Sequence, residues 1–356
     1  MIRASAAKVK PAPETGSQTI VWYSESMAAY SIEEDQRRKR RKRLLQGVLV
    51  GGAAIGIPAL ANLLITKRAG RLAPPAWGRA QRYASPVGEI AYQKLGDGPP
   101  VLLLHSFGPG HHCGEWQIAA EILAERHTVF APDMLGWGRS EKPDVAYDGE
   151  LYIQSLLDFL HEVVGERTWI VAAGLPAAYA VQIGVDHPEL LRGLGLVVPL
   201  GIELHGDEPD FKDAAVHRML RLPVLGTSAL NLYTSRSSIE NHLKREVFAH
   251  PDRVDAAMIE SHYRSAHQPG AHAALAAYLS GYLNHGVEDV LPRLPLPTWL
   301  AWGRQATSPA VEAADLWLRR LRTAAFEVFE RSGNLPHAEV PVAFCEKLEA
   351  FLSITA

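Results

Sequence analysis

Cysteine is scarce in this chain. Two residues, Cys113 and Cys345, among 356 exclude a disulfide-stapled scaffold and a cysteine-rich metal module, and read as a chance pair of buried thiols. Nothing is collagenous or repetitive, so a fibre and a solenoid are excluded as well. Net charge is also small, −3, but unevenly spread. Residues 1–71 carry 13 Lys/Arg against 5 Asp/Glu, and residues 72–356 carry 23 against 34. A basic membrane-facing end joined to an acidic soluble body fits that division, and a nucleic-acid binder does not. The length suits one large α/β domain with an insertion, or two domains.

One stretch without a charge is 44–65, LLQGVLVGGAAIGIPALANLLI, 22 residues preceded at once by seven consecutive cations, Arg37 to Arg43. About 20 apolar residues span a bilayer, so this stretch is expected to be a transmembrane helix. The cations before it outnumber Lys67, Arg68 and Arg71 after it. This bias places the N-terminus in the cytoplasm and the body on the other side. A secreted protein, with a signal peptide cleaved at Ala59-Leu60-Ala61, and a helix buried in protein are the alternatives. Gly47 and Gly51, and Gly52 and Gly56, have the spacing that lets two membrane helices approach closely; abundant glycine in such helices would give the same pattern. Residues 1–36 have no sustained period and are expected to be a disordered tail. A linker at 66–82 contains Pro74-Pro75 and Trp77, the latter suited either to a membrane interface or to a packed contact.

Strands and helices then alternate. Strand patterns lie near 89–95, 101–105, 128–131, 168–172, 192–198, 298–302 and 324–330. Helical patterns lie near 115–125, 150–164, 175–187, 309–320 and 341–353. Such alternation predicts a mostly parallel sheet covered by helices on both faces. Between 203 and 286 the strands stop, and helical periodicity near 214–222, 238–248, 254–262 and 271–283 predicts an inserted helical lid.

Four stretches carry a resemblance. Val101 to Gly108, VLLLHSFG, is similar to a strand and loop that donates an oxyanion-hole N–H. Ala131 to Ser140 resembles a D-x-x-G-x-G-x-S loop. Trp169 to Glu189 reads as strand, tight turn and helix closed by His187-Pro188. Leu335 to Pro341, LPHAEVP, forms the fourth. Together they resemble the α/β-hydrolase fold, in the lidded branch with epoxide hydrolases, haloalkane dehalogenases and many esterases. The resemblance implies a core at 83–202 and 287–356 and the lid at 203–286.

It also implies a triad of nucleophile, acid and imidazole, and this sequence omits all three. The nucleophile position falls on Gly174, flanked two residues away by Ala172 and Pro176. The acid position falls near Ala306, within a run free of carboxylates, and the catalytic-histidine position is Asn334. Asn cannot cycle a proton near neutral pH. Glu203 is the only candidate for an acid after the preceding strand, and His337 matches the family's second, supporting histidine. The remaining site candidates are the N–H groups of Phe107 and Leu175, which can bind a carbonyl or an anion, with His105 and Ser106 beside them.

His105, His111, His112 and Cys113 cluster in one loop, but paired ligands elsewhere lack a recognisable spacing, so no metal and no cofactor are expected. The lid histidines, His217, His242, His250, His262, His267 and His272, are expected on solvated helix faces. The sequence therefore predicts a membrane-anchored pseudoenzyme that binds a small apolar or carbonyl ligand, or a protein partner. An enzyme using other pocket residues is the alternative, and a hydrolase with Ser106 or Cys113 as nucleophile is a third reading.

Overall fold

In the computed structural model, residues 36–42, 55–203, 206–207 and 209–354 are described. The expected disordered tail and residues 44–54 of the expected membrane helix, with Gly47, Gly51 and Gly52, lie outside them. Two compact units divide at Ile57 and Pro58. No helix among the described residues is long and apolar enough to cross a membrane. Residues 55–69 are helical.

From Pro58 onward the chain builds eight strands: β1 (Arg79–Ala84), β2 (Glu89–Leu95), β3 (Pro100–Leu104), β4 (Thr128–Pro132), β5 (Thr168–Ala173), β6 (Leu191–Val197), β7 (Thr298–Gly303) and β8 (Ala324–Phe329). They form one sheet in the order β1-β2-β4-β3-β5-β6-β7-β8. β2 runs antiparallel to both β1 and β4, and every pairing from β4 to β8 is parallel. Central strands of such a sheet are covered on both faces and read as unbroken apolar runs. β3 (PVLLL), β5 (TWIVAA) and β7 (TWLAWG) are buried at every residue. β1 was not expected. It occupies the end of the supposed 66–82 linker, whose Trp77 is packed in the core, 5% exposed, and not at an interface.

Six helices matter for the site. They are α1 (Gln117–Leu123), α2 (Gly149–Phe159) and α3 (Pro176–Asp186), then α4 (Phe211–Leu220), α5 (Leu225–Tyr233) and α6 (Arg236–His242). α3 follows β5 directly. Its alanines 177, 178 and 180 are fully buried, small enough to let the helix lie close on the sheet, and Pro176 occupies the first turn, where its missing N–H is harmless. Among its described residues the segment between β6 and β7 holds helices and loops but no named strand, continuing through α7 (Ala256–Ala266) and α8 (Ala271–Leu279). α5 was missed in the sequence. It is held by Asn62, a buried residue of the helix at 55–69. The Asn62 amide donates to Val224 O and Ser228 Oγ, both at 3.1 Å, and its carbonyl accepts from Asn231 Nδ2 at 2.9 Å. The last turns of the stretch expected to lie in lipid are thus docked on protein.

Candidate functional site

The β5–α3 turn is intact around a residue with no side chain. Gly174 sits at φ +65°, the left-handed region that glycine adopts without strain. Its N–H donates to Val197 O at 3.0 Å, and its carbonyl accepts from Ala177 N and Leu200 N, both at 3.2 Å. A Cβ placed on Gly174 would meet only Ser106, whose Cβ is 3.5 Å away. Space for a nucleophile remains and the group is missing.

A cavity of about 250 Å³ lies over this turn. Gly174, Ser106, Phe107 and His111 line one side. Val198, Leu200, Asn334 and Leu335 come from the ends of other core segments, and Tyr233, His242, Glu246 and Tyr278 come from the helical insertion. Phe107 is clamped by aromatic neighbours, stacking on Trp137 with centroids 4.8 Å apart. Neither its N–H nor that of Leu175 donates to an acceptor among the described residues. Leu175 is buried beside Gly174 and does not itself line the cavity.

The other two positions that the resemblance implies are Asn334 and Ala306. Asn334 is tied down at both ends of its amide, accepting from Thr307 N and donating to Ser308 O, each at 3.0 Å. It therefore braces the loop after β7 in which the acid is missing. Ala306 is buried there, and Glu203 is exposed and outside the cavity wall. The one carboxylate lining the cavity is Glu246, which pairs with His242 at 2.8 Å.

His105 is a brace and not a ligand-binding group. Its Nε2 accepts from Met134 N at 3.0 Å and its Nδ1 lies 2.8 Å from Ser106 O, which uses both nitrogens of a neutral ring. Burial pushes its pKa down, in keeping with that tautomer. His112, Cys113 and Asp133 do come together. However, Asp133 already accepts from Cys113 N, Arg139 N and the Arg139 guanidinium, while His112 bonds Gly114 N and Ser261. Hydrogen bonding accounts for that cluster. Cys113 and Cys345 are free and buried.

The structure adds a polar network that the sequence did not disclose. Glu115, at the turn before α1, is buried beneath the cavity. It accepts from Ser106 N and Ser106 Oγ, both at 2.8 Å, and lies 3.3 Å from His111 Nδ1. Because the single Ser106 hydroxyl proton goes to Glu115, the 2.8 Å contact between Ser106 Oγ and His111 Nδ1 requires His111 to donate from Nδ1. Its buried Nε2 is left as an acceptor without a partner among the described residues. Burial alone would raise the Glu115 pKa, but the imidazoles of His111 and His337 outweigh it and hold the carboxyl well below the usual range. His337, 3.4 Å from Glu115, is stacked on Trp116 with centroids 3.6 Å apart. Burial lowers its pKa.

Of the six histidines of the insertion expected on solvated faces, three pack against other rings or are buried, and the other three, His242, His250 and His272, are half-buried. His267 is 2% exposed, His262 packs its ring against those of His111 and His112, and His217 stacks on Tyr282. Although His111 and Glu115 are four residues apart, His112 between them is extended and only Cys113–Trp116 is helical, so no helical spacing marked the network in the sequence.

A parallel sheet with an elbow turn, free N–H groups above it and a helical insertion roofing a cavity defines a hydrolase-type architecture. The model of the Alpha/beta hydrolase family matches residues 101–347, and the chain belongs to that family. Among its relatives, the 2-hydroxy-6-oxo-6-(2'-aminophenyl)hexa-2,4-dienoic acid hydrolase of Metapseudomonas resinovorans is 27% identical over 271 residues, 74% of this chain and 88% of that protein. Two solved structures share the fold. A serine hydrolase involved in carbazole degradation has a TM-score of 0.64 and 24% identity, covering 78% of this chain and 99% of its own. A membrane phospholipase A has a TM-score of 0.63 and 21% identity, covering 90% and 99%.

Proposed function

We propose that this α/β-hydrolase family member is a membrane-anchored pseudoenzyme, binding a small ligand under its helical insertion without forming an acyl-enzyme. The observation that carries this reading is Gly174: the elbow is built, the space above it is open, and no side chain is there to attack. Asn334 and Ala306 support it independently, since neither accepts a proton. The ligand chemistry follows from the cavity. An oxygen of a carbonyl or carboxyl group fits the N–H of Phe107, an O–H or N–H donor fits His111 Nε2, and Val198, Leu200 and Tyr278 favour an apolar remainder. A volume of about 250 Å³ limits it to a small molecule.

A second reading rests on the His111–Glu115 contact. A carboxylate orienting an imidazole whose other nitrogen is free is the arrangement of a general base, so this pair could move a proton of a bound ligand without any covalent intermediate. Ser106 is a poorer nucleophile than its position suggests, because its proton rests on a carboxylate held too acidic to remove it.

The test is direct. The purified full chain is expected to give no labelling by a fluorophosphonate and no turnover of p-nitrophenyl esters above an unfolded control. Labelling that maps to Ser106 would overturn the pseudoenzyme reading. Turnover without labelling, abolished by His111→Phe, would establish the general-base reading instead.

A further inference from the structure

Among the described residues from Pro58 onward, every exposed large hydrophobic side chain except Ile118, Phe326 and Val342 falls in two segments, 60–64 and 211–233. The two segments are joined physically. Asn62 hydrogen-bonds to Val224, Ser228 and Asn231 of the α5 region. α4 and α5 meet at a corner so tight that a Cβ on Gly226 would lie 2.1 Å from Leu220 O. Leu60 and Leu63 are 58% and 51% exposed, and Leu225 and Leu232 of α5 are 63% and 76% exposed. Contiguous apolar surface of this kind marks a binding face.

Its charge pattern narrows the occupant. Lys67 and Arg68 at the end of the 55–69 helix, and Lys212 and Arg218 on α4, are exposed, while Arg221 pairs with Asp144 at 3.0 Å and Asp210 caps the start of α4. A helix that mixes exposed apolar residues with cations is the pattern of an element lying in a lipid headgroup layer. Chain length points the same way. In the sequence the uncharged run that begins just after Arg43 is 22 residues long, against the roughly 20 needed to cross the hydrocarbon, and it includes Asn62 and Leu63 near its end. That turn is hydrogen-bonded to α5.

We infer that the 211–233 face of the insertion, together with Leu60, Leu63 and Leu64, docks on the surface of the lipid bilayer. The inference is independent of which ligand the cavity holds. One detail joins the two sites: Tyr233, 38% exposed at the end of α5, also lines the cavity. The cavity therefore opens beside the lipid-facing surface.

Single cysteines at Leu225, Leu232 and, as a control away from the face, Val342 provide the test, because Cys113 and Cys345 are buried and stay unlabelled. The full chain carrying an environment-sensitive fluorophore at each site is reconstituted in vesicles containing anionic lipid. Labels at Leu225 and Leu232 should be quenched several-fold more by nitroxide lipids than by aqueous iodide, and the label at Val342 the reverse. A label at Met219→Cys, on α4, should follow the first pattern even if one of the α5 variants fails to fold. Equal iodide quenching at all sites would overturn the inference. Shielding at Leu225 and Leu232 without lipid quenching, lost as the protein is diluted in lipid, would also overturn it and assign the face to a second copy of the chain.

Discussion

At the scale of single residues, the proposed reading rests on Gly174, Ala306 and Asn334, the residues at the elbow, acid and histidine positions that the family resemblance implies. Gly174 relieves a left-handed turn, and Asn334 converts the histidine position into a brace for the Thr307–Ser308 backbone. Restoring one member is therefore expected to lose stability without gaining activity. Gly174→Ser places a side chain at positive φ, costing about 1 kcal/mol, and thermal unfolding should register that loss while ester turnover stays at background. Triad members act as a unit, so only Gly174→Ser with Asn334→His and Ala306→Asp should yield measurable esterase activity. These three positions are assigned in the sequence from local motifs whose spacing survives the substitution. Glu115 was not legible. Its meaning depends on Ser106 and His337 arriving from other parts of the chain, and His337 lies more than two hundred positions away.

At the scale of elements, the sequence disclosed strands β2 to β8 and most helices, because buried parallel strands write themselves as apolar runs. It concealed two elements for opposite reasons. β1, RAQRYA, is an edge strand with largely exposed side chains, so no alternation of polarity marks it; pairing with β2 supplies its stability. α5, LGTSALNLY, follows Pro223 and contains Gly, Thr, Ser and Asn, residues of modest or poor helix propensity, and it is held in place by Asn62 across 169 positions. Asn62→Ala is accordingly expected to leave Asn231 Nδ2 and Val224 O without that partner, costing roughly 1–3 kcal/mol. Hydrogen exchange should localise the loss to α5, with amides of β3 and β5 unaffected; uniform loss of protection across the sheet would show that Asn62 supports the whole body.

At the scale of the molecule, buried histidines make stability depend on pH. Burial lowers the pKa values of His105, His262, His267 and His337 and takes those of His112 and His272 down to about 4. A histidine held neutral in the folded state contributes stability that is fully present above the unfolded value of about 6.5 and is lost as pH falls towards the folded one. Glu115 and Asp133, both held below their ordinary range, contribute stability that is lost only as the pH falls below the ordinary carboxylate value of about 4. The histidines should therefore lower the melting temperature between pH 7 and pH 5, and a flat profile would mean that these rings are hydrated. The shared position of Tyr233 has a consequence for how the cavity fills. A ligand that reaches it from lipid is governed by its mole fraction in the membrane and not by its concentration in water. Adding ligand-free vesicles at constant total ligand should empty the cavity by surface dilution, whereas diluting lipid and ligand together should leave its occupancy nearly unchanged.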